Sequence, residues 1–177
     1  MAGSAKRAWL APEVIQTSAM DCGPAALKSL LDGHGIPVSY GRLREICQTD
    51  LDGTSIDTLE DVGQQLGLQA QQVLIPADHL FRGSQSRGCA LAVVRHESMG
   101  THFVVIWRRL GQWVQVMDPS VGRRWVPIRE LRERLYVHEE EVPAADWRAW
   151  AVGEEGVQAL RIRFADLHLS AAVASRW

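Results

Sequence analysis

The chain reads as an α+β domain, with N-terminal helices packed on an antiparallel β-sheet. Three observations point there. Between Ala25 and Leu66 the apolar residues recur at helical spacing, in runs that close on glycine. From Cys89 to Val126 they gather instead in short stretches rich in valine, isoleucine and tryptophan, separated by turn residues. The two patterns follow one another rather than alternating, which is the order of segregated helices and strands and not of βαβ units.

The helices come first. Residues 1–12 read as a flexible lead-in, and Glu13, Val14 and Ile15 as a short extended piece delivering Gln16. Gln16 to Cys22 has the composition of a loop. Pro24 suits a first helical turn, where the N–H it lacks would have no partner. Ala25, Ala26, Leu27, Leu30 and Leu31 then form an apolar stripe that runs to about Asp32, closed by Gly33 and Gly35. Val38 to Cys47 reads as a second helix, with Ser39 as N-cap and Leu43, Ile46 and Cys47 facing inward. Leu51 to Gly53 is a turn. Thr54-Ser55-Ile56-Asp57 resembles a capping box, and Ile56, Leu59, Val62 and Leu66 continue at helical spacing until Gly67.

The character changes at Leu68. Leu68 to Ile75 alternates as a strand would, Pro76 to Phe81 fits one helical turn, and Arg82 to Gly88 is a polar loop. Cys89 to Val94, His102 to Trp107 and Trp113 to Met117 are the core strands, the last two joined across Gly111 as a hairpin. Gly122 marks a turn, Trp125 and Val126 a further strand, and Ile128 to Leu135 a helix. Glu139 to Glu141 is a solvated charge run. Leu160 to Phe164 alternates like an edge or amphipathic strand, and Leu167 to Trp177 is mildly apolar.

Composition narrows the function. The 177 residues are 46% hydrophobic and 23% charged, ordinary for one globular domain. A net charge of −2 argues against a nucleic-acid partner, which needs a basic surface. No run approaches the length of a membrane span, and the N-terminus lacks the apolar core of a secretory signal. Three widely spaced cysteines are no disulfide framework, so a reducing, cytoplasmic setting is the simpler reading. The histidines show no metal-ligand spacing with the cysteines, and no Gly-rich phosphate loop is present, so neither a metal nor a cofactor is expected.

What remains is nucleophilic chemistry. Cys22 falls at the N-terminal end of a buried helix, where the dipole and free N–H groups favour a thiolate. A thiolate nucleophile needs an imidazole, a group to orient it, and donors for an oxyanion. His102 opens one strand of the hairpin and Asp118 closes the next, so antiparallel pairing makes them neighbours. Asp118 can then accept from one nitrogen of His102 while the other faces Cys22. Gln16, just upstream of the cysteine, can offer an amide N–H to the oxyanion. Each residue alone has a plainer reading: a buried small hydrophobe, a strand-start histidine, an Asp-Pro turn, a loop glutamine. Cys47 and Cys89 lie inside apolar runs and read as core packing.

Gln16 through Leu27, with Asp-Cys-Gly leading into a small-residue helix, resembles the start of the C39 family of cysteine peptidases. The resemblance continues through the Gly53–Leu68 helix, Cys89 to Arg95, His102 to Ile106, and Val116-Met117-Asp118-Pro119, and so covers about residues 12–135. It implies a papain-like fold over a C39-like domain at 13–135, followed by a C-terminal extension at 136–177 that packs on the domain or leads to a missing part of a transporter. It also implies the roles: Cys22 nucleophile, His102 general acid/base, Asp118 orienting group, Gln16 oxyanion donor. Members of the family cut a leader peptide after a double-glycine motif as a precursor is delivered for export. They usually sit at the N-terminus of bacteriocin-exporting ABC transporters. The implied partners are therefore a precursor peptide with an amphipathic leader and a membrane ABC transporter, in cis or in trans, at the cytoplasmic face of the inner membrane. The alternative is a C39-like domain that binds the secretion substrate without cutting it; an acyltransferase on the same thiol–imidazole chemistry also stays open. Membrane helices and a nucleotide-binding domain are not in this sequence, so the chain is either free-standing or an excised transporter domain.

Overall fold

The computed structural model describes residues 7–48, 53–77, 80–81, 88–96, 100–139 and 141–166. Helices come first: α1 (Cys22–Gly33), α2 (Tyr40–Ile46) and α3 (Ile56–Gln65). Then come β1 (Ala90–His96), β2 (Gly100–Leu110), β3 (Trp113–Asp118) and β4 (Gly122–Pro127), followed by α4 (Ile128–Arg134), α5 (Ala144–Val152) and α6 (Glu154–Asp166). The four strands form one antiparallel meander in the order β1-β2-β3-β4.

α1 is buried on two sides, and its sequence says why. Ala26 and Leu30 face Val105, Trp107 and Met117 of the sheet, while Leu27 and Leu31 face Leu43, Leu59 and Val62 of α2 and α3. Such a helix has to be apolar around most of its circumference. Gly33 is the last residue of α1, ahead of its C-cap His34, and packing rather than capping requires it. A Cβ there would lie 2.2 Å from Cη2 of Trp107, which is fully buried. Only glycine lets the helix end come that close to the indole.

The flanking helices follow their caps. Ser39 accepts from the Arg42 N–H, as expected. The cap of α3 falls one residue later than the expected capping box: Ser55, not Thr54, accepts from the Thr58 N–H. The second face of the sheet carries Val94, Val104, Ile106, Val114, Val116 and Val126, covered by Leu131 of α4 and by Leu135, which follows it. A register shift between Ile106 and Arg108 separates the hairpin into two halves, and Gly111 takes φ +60° in the turn.

Two expectations are overturned. Leu68 to Ile75 is not a strand. It forms no ladder in the described structure, and most of it lies exposed, with Leu74 88% exposed. Alternation is only half of a strand, and here the segment's backbone bonds go elsewhere: the Leu68 N–H donates to Gly63 O and Ala70 O accepts from Gln64 Nε2. Leu160 to Phe164 lies inside α6. There Glu154 and Glu155 in the first turn favour the helix start, and Gln, Ala, Leu and Arg are good helix formers. Of Pro76 to Phe81, Ala77, Leu80 and Phe81 lie in turns that pack on the α4 side of the sheet. Residues 51–52, 82–87 and 167–177, read above as turn, loop and tail, lie outside the described residues.

The later part of the lead-in is tied down. The Ala8 N–H donates to Gly33, Trp107 Nε1 donates to Ala8, the Ala11 N–H donates to buried Gln115, and Ser29 donates to Pro12. At the other end, the Tyr136 N–H donates to Val93, and Leu135 bridges Val94. α5 and α6 pack against one another, with Trp150 O 2.4 Å from where a Cβ on Gly156 would stand. α5 buries none of its residues.

Candidate active site

The loop ahead of α1 is pinned from both sides. The Gln16 N–H donates to Pro119 O at 2.9 Å, which ties it to the turn just after Asp118. At the other end Asp21 is fully buried as the N-cap residue of α1. It accepts from Thr17 Oγ1 at 2.7 Å and from Arg44 Nε of α2 at 2.9 Å. Burial pushes the Asp21 carboxyl up, but Thr17, Ser18 and Arg44 together hold it below the usual range. A buried charge anchored in this way fixes the position of the next residue, Cys22.

His102 and Asp118 meet at one end of the sheet. The register pairs Val105 with Met117, which brings the start of β2 and the end of β3 together as the hairpin requires. His102 Nε2 lies 2.7 Å from Asp118 Oδ1, and both residues are 1% exposed. The same oxygen accepts from the Ser120 N–H at 3.0 Å and the Ser120 hydroxyl at 2.7 Å. Burial raises the Asp118 carboxyl, but these donors outweigh it and hold it far below the ordinary carboxylate range. Burial alone would lower the His102 pKa; Asp118 and then Cys22 more than reverse that and raise it to about 9.

Cys22 completes the line. It is partly exposed at the start of α1. Burial pushes its thiol up, but hydrogen bonding with His102, the Phe103 backbone and the charge of the imidazole bring it below the usual thiol value. His102 Nδ1, the nitrogen turned away from Asp118, is buried and makes no hydrogen bond of full geometry among the described residues. The thiol–imidazole contact is therefore close enough for each group to move the other's pKa, but loose. Among the described residues the Gln16 side-chain oxygen is also buried without a hydrogen-bond partner.

The other cysteines are chemically different. Burial pushes the Cys47 thiol up to about 11. Cys89 lies 3.2 Å from His34 Nε2, but burial raises the thiol, with Arg7 opposing only in part, and burial also lowers His34. Both partners of that pair are driven to their neutral forms. Among the described residues no three His, Cys, Asp or Glu side chains converge to hold a metal ion. Nor is any described helix long and apolar enough to cross a membrane.

Residues 11–139 match the model of the Peptidase C39 family. The chain belongs to that family. A lactococcin-G-processing and transport ATP-binding protein, LagD of Lactococcus lactis, is 29% identical over 113 residues, covering 62% of this chain. The matched stretch spans only 16% of LagD. An uncharacterized protein of Methanothermobacter marburgensis is 30% identical over 119 residues, covering 66% of this chain and 79% of its own length. Among solved structures, the fold is similar to a double glycine motif protease from an AMS/PCAT transporter, crystallised with the leader peptide. There the TM-score is 0.60 at 23% identity, over 76% of this chain and 89% of that one. It is also similar to the peptidase domain of Streptococcus ComA, a bifunctional ABC transporter of a quorum-sensing pathway. That comparison gives a TM-score of 0.63 at 22% identity, over 69% of this chain and 90% of that one. The C39 peptidase fold accounts for the helices-then-sheet order, and α5 and α6 lie beyond the matched region.

Several residues around the site carried no signal in the sequence. Ser120, Arg124 and Arg134 gather on Asp118, and the His96 ring packs edge-on to His102 with centroids 5.4 Å apart. Arg124 could have been found only with the β3–β4 register in hand, because Gly122 pairs with Asp118 and Arg124 with Val116.

Proposed function

We propose that the chain is a cysteine endopeptidase that removes the leader of a secreted precursor peptide after a double-glycine-type motif. The observation that supports it is the Cys22–His102–Asp118 line, a lowered thiol beside a raised imidazole backed by a buried carboxylate. Cys22 and His102 rest as a thiolate–imidazolium pair. The sulfur attacks the carbonyl carbon of the second small residue, forming a C–S bond and placing the electron pair on the carbonyl oxygen. The Gln16 amide and a backbone N–H at the start of α1 hold that oxyanion. Collapse of the intermediate breaks the peptide C–N bond, and His102 gives its proton to the leaving amine. Water, deprotonated by His102, then cleaves the thioester and frees the leader. Asp118 keeps the imidazole in the required tautomer and orientation throughout.

A narrow slot beside Cys22 selects two small residues by exclusion. The leader docks as an amphipathic helix on an apolar groove, and an ABC transporter, in cis or in trans, takes the released peptide at the cytoplasmic face of the inner membrane. The test is to incubate the chain with double-glycine precursors and weigh the products. Cleavage after the motif is expected, and Cys22→Ala should abolish it while leaving leader binding intact. Binding with no cleavage by the unaltered chain would instead mark a substrate-holding domain.

A further inference from the structure

Asp118 is bonded unevenly. Its Oδ1 takes three donors, from His102 and Ser120, while among the described residues Oδ2 faces two guanidinium groups. Arg124 of β4 places a terminal nitrogen 3.5 Å from Oδ2, and Arg134 of the last turn of α4 places one at 3.9 Å. The two come from different elements. Arg124 is set by the β3–β4 register, and Arg134 by the packing of α4 through Leu131 and the bridge from Leu135 to Val94. Exposed ion pairs contribute little. Here the shared carboxylate is buried, its side chain only 2% exposed, so charges on it act through a poorer dielectric.

We propose that Arg124 and Arg134 are positioning residues for the peptidase reaction: they hold the outer oxygen of Asp118, so that its inner oxygen meets His102, and they limit how firmly the carboxylate retains the imidazolium proton. The inference rests on the peptidase reading given above. An imidazolium held by an unshared carboxylate is a poor acid toward the leaving amine. Two cations on the far oxygen draw charge away from the His102 side and make the proton easier to transfer. Among the described residues, the other titratable groups facing His102 are Cys22 of α1 and His96 of β1.

The test is an NMR titration of His102 in a Cys22→Ala background, which removes coupling to the thiol and needs no turnover. The Arg124→Gln/Arg134→Gln pair should move the His102 pKa upward by at least about 0.3 pH unit, the direction set by loss of positive charge. A smaller or downward shift overturns the proposal. Should the double variant fail to fold, the two single glutamine variants are read against the same threshold. Arg124→Lys keeps the charge and should hold the background value; a shift as large as that of Arg124→Gln would also overturn the proposal. In the cysteine-bearing chain, the glutamine variants should lower kcat with KM unchanged, and a loss carried by KM alone would contradict a positioning role. A wild-type chain inert toward double-glycine substrates would end the peptidase reading while leaving the His102 titration to be judged separately.

Discussion

Replacing Asp118 by Asn keeps the shape of the side chain and its contacts with Ser120 but removes the charge that faces His102. The imidazole pKa of about 9 stands against an ordinary 6.5. At 1.36 kcal/mol per unit, the shift corresponds to about 3 kcal/mol of preference for the charged imidazole. Burial pulls the other way, so without the carboxylate, and with only Cys22 left to raise it, the His102 pKa should fall. At neutral pH the imidazolium, and with it the thiolate it stabilises, would then be less populated. The Asn amide would also turn a donor toward Arg124 or Arg134 if its oxygen stayed on His102. We expect kcat/KM at pH 7 to fall by about 10²-fold, the low end of general acid–base contributions, with a folded protein. The assay is cleavage of a double-glycine peptide across pH 5–10, with circular dichroism as the control on folding. A rate within about threefold of wild type, with an unmoved pH profile, would refute the orienting role and make Asp118 a turn residue.

Three further outcomes follow from the same structure. Gln16→Ala should cost about 10²–10³ in kcat by loss of one oxyanion donor; a fall under about threefold would leave that work to backbone N–H groups. Gly33→Ala puts a methyl into the Trp107 ring and should destabilise the fold by about 1–3 kcal/mol in urea denaturation, whereas Gly41→Ala, which meets nothing within 4 Å, should not. Asp118 is held below its ordinary pKa, so its contribution is present above the ordinary carboxylate range and is lost as pH falls through the depressed value. The stability difference between wild type and Asp118→Asn should therefore shrink as thermal unfolding is followed from pH 5 down to pH 2; a constant difference would contradict that account.

Much of the fold could be read because local chemistry and tertiary packing agree. Ser39 caps α2 where a serine before a helical period should, and Gly111 turns the hairpin that brings His102 and Asp118 together. The pattern at Leu68 to Ile75 misled because alternation describes only half of a strand; the other half is a partner, and none of the described strands pairs there. Leu160 to Phe164 misled because five residues of alternation are shorter than the helix that contains them. Gly33 read as a helix stop, and its contact with Trp107 depends on a strand more than seventy positions away. The site divides in the same way. Cys22, His102, Asp118 and Gln16 were legible only jointly, through their order and setting, and the fold ties all four to one end of the sheet. The groups that hold Asp21 and Asp118 in place had no such setting. Arg44, Arg124 and Arg134 are ordinary charged residues until the packing shows what they face.

The three thiols provide an internal comparison in one sample. Iodoacetamide labelling across pH 5–10, read by mass spectrometry at each cysteine, reports which sulfur is a thiolate at neutral pH. With Cys22 lowered by His102 and both Cys47 and Cys89 raised by burial, Cys22 should label at pH 6–7 while the others stay unreactive, and His102→Ala should move its labelling to the pH of an ordinary thiol. Labelling of Cys22 no faster than Cys89 at pH 7, or unchanged by His102→Ala, would contradict the thiolate–imidazolium pair.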